Sequence, residues 1–441
     1  MKKYTFSLIL IFSVFFSLFL STPVSAYTLP AGTEVSAQAA ILYNIETGTV
    51  VYEKDADKRM EPASTTKLMT ALIVAEHVTN FDLPVTAYST VESDFAGLGA
   101  SIINIKAGEQ ISTKDLLYAL LVPSACDAAN VLAVHVSGST DKFVDLMNEK
   151  AQSLSMTGTH YTNAHGLEQD GLYTTARDLV TLAKEILKNP MLSEICSTSY
   201  YEIPATNMSD TRRLFTTNYM LEANSRYYYR RVKGLKTGYT EKAGRCLVSY
   251  AQKDSDEYIG VVMGCKTKDE SGNEHHYEFD DTDALLRWAF TNLTYTCTVK
   301  KTEPLAEVKV TLSGDTDHVL AVPREDYYAM IPNGSKDSII IESHLDAQSI
   351  QAPVELGQRL GYASVLCAGE EIGQIELVAS ETCNRSGWLA FLNFLKIMIF
   401  TSNVFLVIVA IIIVIIGALV LFSVHDTRRR RRLFNSKMRN K

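Results

Sequence analysis

Ser64 and Lys67 stand three residues apart in Ala63-Ser64-Thr65-Thr66-Lys67-Leu68-Met69-Thr70, where a helical pattern begins. Residues at i and i+3 share a helix face, so the lysine amine can lie beside the serine hydroxyl. A serine at a helix start also meets backbone N–H groups and the positive end of the helix dipole, which favour developing negative charge. The pair could act as a nucleophile with its activating base. A second serine, Ser124, falls in Pro123-Ser124-Ala125-Cys126, at a break between two helical stretches. A third element, Lys236-Thr237-Gly238, opens a predicted strand.

Other side chains suggest chemistry less strongly. His165 lies on a glycine turn, where a structural role is expected. Glu274-His275-His276 could be read as a metal site, but adjacent histidines on a polar loop are usually solvated. Cys126 could be a nucleophile, yet Ser64 and Lys67 already supply an activated one.

Positioning these residues needs a mixed scaffold. Ala39 to Glu53 reads as two strands around a Glu-Thr-Gly turn, and Ser64 to about His77 as the helix behind the first motif. Ile102 to Ile105 reads as a short strand. Helices are predicted at Leu116–Leu121 behind a Thr113-Lys114-Asp115 cap, Asp127–Val136, Thr140–Ser153, and Ala176–Lys188 behind Thr174 or Thr175. After Arg231 come a strand at the third motif, a hairpin (Cys246–Ala251 with Tyr258–Met263), and a helix from Asp281 to Phe290. Strands, a helical insert, then strands and a helix predict an α/β domain with a helical subdomain. From Thr298 onward, short strands at Ala306–Leu312, His318–Val322, Ser338–Ser343, Gly361–Leu366 and Glu371–Val378 predict a small all-β domain.

The ends of the chain read as envelope signals. Residues 1–26 have the form of a secretory signal: Lys2 and Lys3, an apolar centre from Phe6 to Leu20, and Val24-Ser25-Ala26 for cleavage. Val404 to Val424 is 21 residues without a charge, and the uncharged run reaches back to Ile397. About 20 such residues cross a bilayer. Arg428 to Arg432 follow, which fixes that end as cytoplasmic. The expected division is 27–296 catalytic, 297–385 all-β, 386–396 linker, 397–424 transmembrane and 425–441 basic tail.

Charge narrows the partners. Of 42 lysines and arginines, two lie in the signal and nine from Lys396 onward; of 50 acidic residues only Asp426 lies outside the interval between. That interval carries 31 basic against 49 acidic groups, a net charge of −18, which disfavours nucleic acid. Seven cysteines at irregular spacings form no metal pattern and are expected mostly as free, buried thiols.

Taken in order, Ser64-x-x-Lys67, Ser124-x-Cys126 and Lys236-Thr237-Gly238 resemble the three motifs of penicillin-binding proteins and serine β-lactamases. Lys114–Leu121, Asn163-Ala164-His165-Gly166-Leu167, Thr174-Thr175-Ala176-Arg177-Asp178 and Gly234-Leu235 narrow the resemblance to the D-alanyl-D-alanine carboxypeptidases, the low-molecular-mass penicillin-binding proteins. It runs from about Ala37 to Phe290 and continues in Gln351-Ala352-Pro353-Val354, Gly357-Gln358 and Gly361, which look like that family's C-terminal module. One residue departs: the family usually has asparagine where this chain has Cys126, and a thiol is only a weak donor and acceptor.

The resemblance implies a β-lactamase/transpeptidase-like catalytic domain and a serine peptidase acting on peptidoglycan stem peptides that end in D-Ala-D-Ala. Ser64 would be the nucleophile, Lys67 its base with a pKa lowered by Lys236 and by desolvation, and Ser124 a proton relay to the leaving nitrogen. Lys236 and Thr237 would hold the terminal carboxylate, Gly238 would admit substrate backbone, and Cys126 would line the site. Backbone N–H groups of Ser64 and Tyr239 would form the oxyanion hole. No metal or organic cofactor is implied; β-lactams would be covalent inhibitors, and the C-terminal helix would meet membrane lipid on the extracytoplasmic side of a bacterial cell membrane. A β-lactamase is the first alternative, but the Glu-x-x-Leu-Asn text of class A enzymes is missing, and Asp145-Leu146-Met147-Asn148 does not fit it. The second is a non-catalytic envelope protein that binds peptidoglycan or penicillin without turnover, for which Cys126 is the best support.

Overall fold

The computed structural model describes residues 34–367, 369–401 and 404–439. The expected signal at residues 1–26 lies outside them. Among the described residues the chain divides into two units. One runs to Thr296 and includes Tyr328–Ser338; the other comprises Cys297–Tyr327 and the chain from Ile339 onward.

The first unit is built on one antiparallel sheet. Its strands are β1 (Ala39–Asn44), β2 (Thr49–Lys54), β3 (Val232–Thr240), β4 (Gly244–Lys253) and β5 (Asp256–Cys265), in spatial order β2-β1-β5-β4-β3. The β1–β2 turn is closed by Asn44, whose Oδ1 accepts from the N–H and hydroxyl of Thr47 at 2.9 and 2.7 Å. Successive strand residues point to opposite faces. Ala40 and Leu42 therefore join one core with Leu247, Ala251, Tyr258 and Val262. Ala39 and Ile41 join the other with Val248, Ile259 and Val261. Burial on both faces explains why β1 and β5 read as almost unbroken apolar runs.

Seven helices cover the two faces: α1 (Lys67–His77), α2 (Thr113–Leu121), α3 (Cys126–Ser137), α4 (Thr140–Ser153), α5 (Ala176–Lys188), α6 (Pro190–Cys196) and α7 (Tyr277–Asn292). Phe279, Leu285, Leu286 and Ala289 of α7 fill the first core, each large apolar side chain contributing about 1.5–3 kcal/mol by its burial. On the other face α1 is the central helix, with every residue from Lys67 to Val74 buried. A helix covered all round has no face on which a polar side chain can reach water. Lys67 is thus desolvated by its position in the fold.

Capping sets the helix starts. Ser112, one residue before the expected cap, accepts from Asp115 N–H to open α2. Thr175, of the two candidates, accepts from Asp178 N–H to open α5. Asn189 closes α5 and caps α6 in the same step. Ile102 to Ile105 is not a strand. The Asp127 carboxylate at the start of α3 accepts from Ile103 N–H (3.1 Å) and Ile105 N–H (3.0 Å), taking the donors a ladder would need.

In the second unit six strands form a sheet whose order runs Ile339–Leu345, Arg359–Cys367, Glu370–Ala379, His318–Pro323, Ala306–Thr311 and Ser349–Gln351. Only the last pairing is parallel. Its core gathers Val308, Val310, Val319, Ala321, Val354, Val365 and Leu377. Two further helices end the described chain, α8 (Gly387–Thr401) and α9 (Val404–Arg439). Within α9, Leu406–Arg430 is long and apolar enough to cross a membrane. The stretch 386–396, read as a linker, is helical from Gly387.

Candidate active site

Ser64 lies in a 3₁₀ turn, Ala63–Thr66, that feeds into α1. Ala63 holds φ +47°, a left-handed conformation costly for a residue with a Cβ. Two glycines brace that turn. Gly166 has φ +81°, and a Cβ added there would fall 2.0 Å from Ala63 O. A Cβ on Gly238 would fall 3.1 Å from Ala63 Cβ, Pro62 O and Ser64 N. The missing side chain of Gly238 is therefore what lets β3 run against the backbone of Ser64.

Behind the turn, Lys67 is fully buried, and its amine has three neighbours. Nζ lies 2.9 Å from Ser64 Oγ, 2.6 Å from His165 O and 3.4 Å from Cys126 Sγ. Burial pushes the lysine pKa down, partly offset by Cys126 and Asp127. A neutral amine has two N–H donors and one lone pair. With the carbonyl and the sulfur taking the donors, the lone pair is left facing Ser64 Oγ. That arrangement suits proton abstraction from the serine.

The second motif is held by backbone hydrogen bonds. Ala125 N–H donates to Ala119 O (2.9 Å) and Cys126 N–H to Ser101 O (2.7 Å). Ser101 Oγ donates to Pro123 O at 2.8 Å. Ser124 adopts φ +68° at the loop's apex. Its hydroxyl is buried and has no hydrogen-bond partner among the described residues. A buried hydroxyl that no protein group satisfies is available to a bound substrate.

Lys236, on β3, is also buried, and its Nζ donates to Thr237 O at 3.0 Å. Its pKa is pushed down to about 7, by burial first and by the charge of Lys67 second. The crowding of the two lysines therefore bears on Lys236, while Lys67 is lowered mainly by its burial. Thr237 Oγ1 lies 2.5 Å from Thr217 Oγ1. Thr217 N–H in turn donates to Val122 O at 3.2 Å, so one residue ties the third motif to the chain just before the second. Tyr239 is half-exposed, with the Arg245 guanidinium 5.0 Å from its ring centroid.

Two contributors escaped sequence reasoning. Thr217 carries no motif. His165 acts through its carbonyl, which no side-chain pattern reveals. Burial and the charge of Lys67 push the His165 imidazole down to about 3, so the ring is neutral. Its loop is fixed by Thr70 Oγ1 donating to Ala164 O at 2.6 Å and by Asn163 Oδ1 accepting from Gly166 N–H at 2.6 Å. Elsewhere, His275 pairs with Asp280 and His276 with Glu278. No group of three or more metal-ligating side chains is found among the described residues. Asn148, in the text nearest a class A signature, bonds to Val144 O and to both backbone groups of Tyr161, which is a loop-holding role. All seven cysteines are free thiols, six of them buried.

Residues 25–267 match the D-alanyl-D-alanine carboxypeptidase family, peptidase S11, and residues 294–385 match the C-terminal domain of penicillin-binding protein 5. The chain is 29% identical over 357 residues to the D-alanyl-D-alanine carboxypeptidase DacF of Bacillus subtilis, covering 81% of this chain and 88% of that one. It is 29% identical over 386 residues to DacC of Escherichia coli, covering 85% and 91%. Penicillin-binding protein 5 from Haemophilus influenzae superposes with a TM-score of 0.63 at 25% identity, covering 82% of this chain and all of that one. The family match spans more than half of the chain, and these relatives share its fold: the chain belongs to the D-alanyl-D-alanine carboxypeptidase family of serine peptidases.

Proposed function

We propose that the protein removes the terminal D-alanine from peptidoglycan stem peptides through an acyl-enzyme on Ser64. The contact that carries this reading is the 2.9 Å approach of Lys67 Nζ to Ser64 Oγ. Ser64 Oγ attacks the carbonyl carbon of the penultimate D-alanine while its proton passes to Lys67. The negative charge that forms on the carbonyl oxygen is taken by the backbone N–H groups of Ser64 and Tyr239; losing one such donor typically costs about 10²–10³ in rate. Lys236 and Thr237 hold the terminal carboxylate, a charge-assisted contact that also keeps Lys236 protonated. Ser124 Oγ relays the proton taken from Ser64: it gives its own hydrogen to the leaving nitrogen as the C–N bond breaks and takes the one held by Lys67, which leaves both groups neutral. Water then attacks the ester, and Ser64 recovers its proton.

The setting is the outer side of a bacterial cell membrane. Residues 1–26 would direct export, and the uncharged part of the helix from Leu406 to Val424 would anchor the chain with Arg428–Arg432 inside. β-Lactams, as acylating analogues of the same peptide, would trap Ser64. The test is D-alanine release from a D-Ala-D-Ala pentapeptide by the full chain in detergent. The wild type should turn over and Ser64→Ala should not; equal release by both would overturn the reading.

A further inference from the structure

Between Glu222 and Glu241 the chain carries five cationic side chains, Arg226, Arg230, Arg231, Lys233 and Lys236, and no acidic one. The rest of the region outside the terminal segments runs the other way, with 31 basic against 49 acidic groups over the whole interval. Lys236 is assigned above to the terminal carboxylate. Arg230 and Arg231, with Arg287 from α7, line a concave surface of about 520 Å³ together with Tyr228, Tyr229 and Thr291. Arg231 precedes the first residue of β3, and five residues separate it from Lys236. At about 3.3 Å per strand residue that is roughly 16 Å, so this surface is apart from the Ser64 site.

The guanidiniums are held in place before any ligand arrives. Tyr229 is buried, and the Arg287 and Arg231 guanidiniums stand 4.5 and 5.9 Å from its ring centroid. Arg231 also lies 5.0 Å from the Phe290 ring, and its Nη1 donates to Tyr229 Oη at 3.1 Å. A guanidinium stacked on a ring keeps its charge and leaves N–H groups at its edge for an anion. Arg287 shares its charge with Asp283, at 2.7 Å. Among the described residues, Arg230 and Arg231 have no carboxylate partner. Three forks suit phosphate oxygens, and their spacing along one surface suits charges that repeat. Tyr228, 44% exposed, adds an apolar ring face to the same lining, of the kind that packs on the C–H groups of a polyol or sugar.

We propose that this surface binds a phosphodiester-linked polyol or glycan polymer, with the arginines on its phosphates and Tyr228 against the units between them. Only the polymer's place in the envelope rests on the function proposed above; binding is read without catalysis. The test titrates end-labelled poly(glycerol phosphate) against the full chain in detergent. With three arginines engaged, log Kobs should fall with log[salt] at a slope of about −2. Arg230→Gln/Arg231→Gln should weaken binding about tenfold and flatten the slope to about −1, at an unchanged melting temperature. If the double variant unfolds, Arg230→Gln alone, at an exposed and unpaired side chain, should still weaken binding about threefold. Poly-L-glutamate of equal charge should bind at least fivefold more weakly. Unchanged affinity in the folded variants, or equal binding of poly-L-glutamate, would overturn the proposal. Displacement of the polymer by phosphatidylglycerol in the micelles, at equal phosphate, would assign the surface to lipid and overturn it as well.

Discussion

The sulfur of Cys126 stands 3.4 Å from the amine of Lys67, where it receives one of that amine's hydrogens. A thiol sulfur is a weak acceptor, but in this place it needs only to occupy one N–H so that the lone pair stays on Ser64. In the proposed mechanism the cysteine would thus perform part of what an asparagine carbonyl does there. It cannot match the amide's capacity to donate.

Substitution at Cys126 separates these roles. Cys126→Asn restores a strong acceptor and adds a donor, so carboxypeptidase activity should be equal or higher. Cys126→Ala leaves a buried N–H of Lys67 unpaired, at a cost of about 1–3 kcal/mol, and kcat should fall about 10- to 100-fold. Steady-state D-alanine release from both variants checks this; near-total loss in Cys126→Asn would show that the thiol has its own task.

Thr217 should tune substrate hold and not the chemistry. Removing its hydroxyl frees Thr237 Oγ1 from a 2.5 Å contact. Thr217→Val should raise KM about two- to tenfold with little change in kcat, and Thr217→Ser should restore it. A fall in kcat alone would contradict the assignment.

The pH profile follows from the two lysines. Lys67 must be neutral to accept the serine proton, so kcat/KM rises as pH climbs through its lowered pKa. Lys236 must be charged to hold a carboxylate, so kcat/KM falls as pH passes about 7 in the free enzyme. The two limbs belong to a coupled pair, and substitution is the way to assign them. Lys236→Arg stays charged and should move the falling limb to higher pH while leaving a rising limb. A falling limb unmoved by that change would exclude Lys236 as its source.

Gly166 packs against the turn that carries Ser64. Gly166→Ala combines a left-handed φ of +81° with a Cβ 2.0 Å from Ala63 O. It should destabilise the protein by about 3 kcal/mol and lower its melting temperature by several degrees, alongside slower penicillin acylation. Thermal unfolding of the full chain in detergent, with and without penicillin, measures both effects.

Much of this site was legible in the sequence because its side chains recur at fixed spacings on strongly patterned elements. Lys67 opens α1, a long apolar helix, with Ser64 in the turn just before it, and Lys236 stands in the Lys-Thr-Gly text of β3. What escaped was held by the backbone. The short pair Tyr200–Ile203 and Arg212–Phe215 mixes polar and apolar residues without clean alternation; Leu293–Val299 does alternate but follows α7 with no turn residue between them, and Tyr327–Pro332 is a short apolar run that ends in proline. Ile102–Ile105 had strand-like residues, but a carboxylate 22 to 24 residues away in sequence took its donors. The His165 carbonyl and Thr217 act through contacts with partners 98 and 20 residues distant, which no local window contains.

The most direct test of the central claim is intact-protein and peptide mass spectrometry of the full chain after brief exposure to benzylpenicillin. The account predicts one adduct of the drug's full mass on the peptide carrying Ser64, persisting over minutes and absent from Ser64→Ala. An adduct on Cys126, or rapid drug hydrolysis with no trapped ester at Ser64, would contradict it.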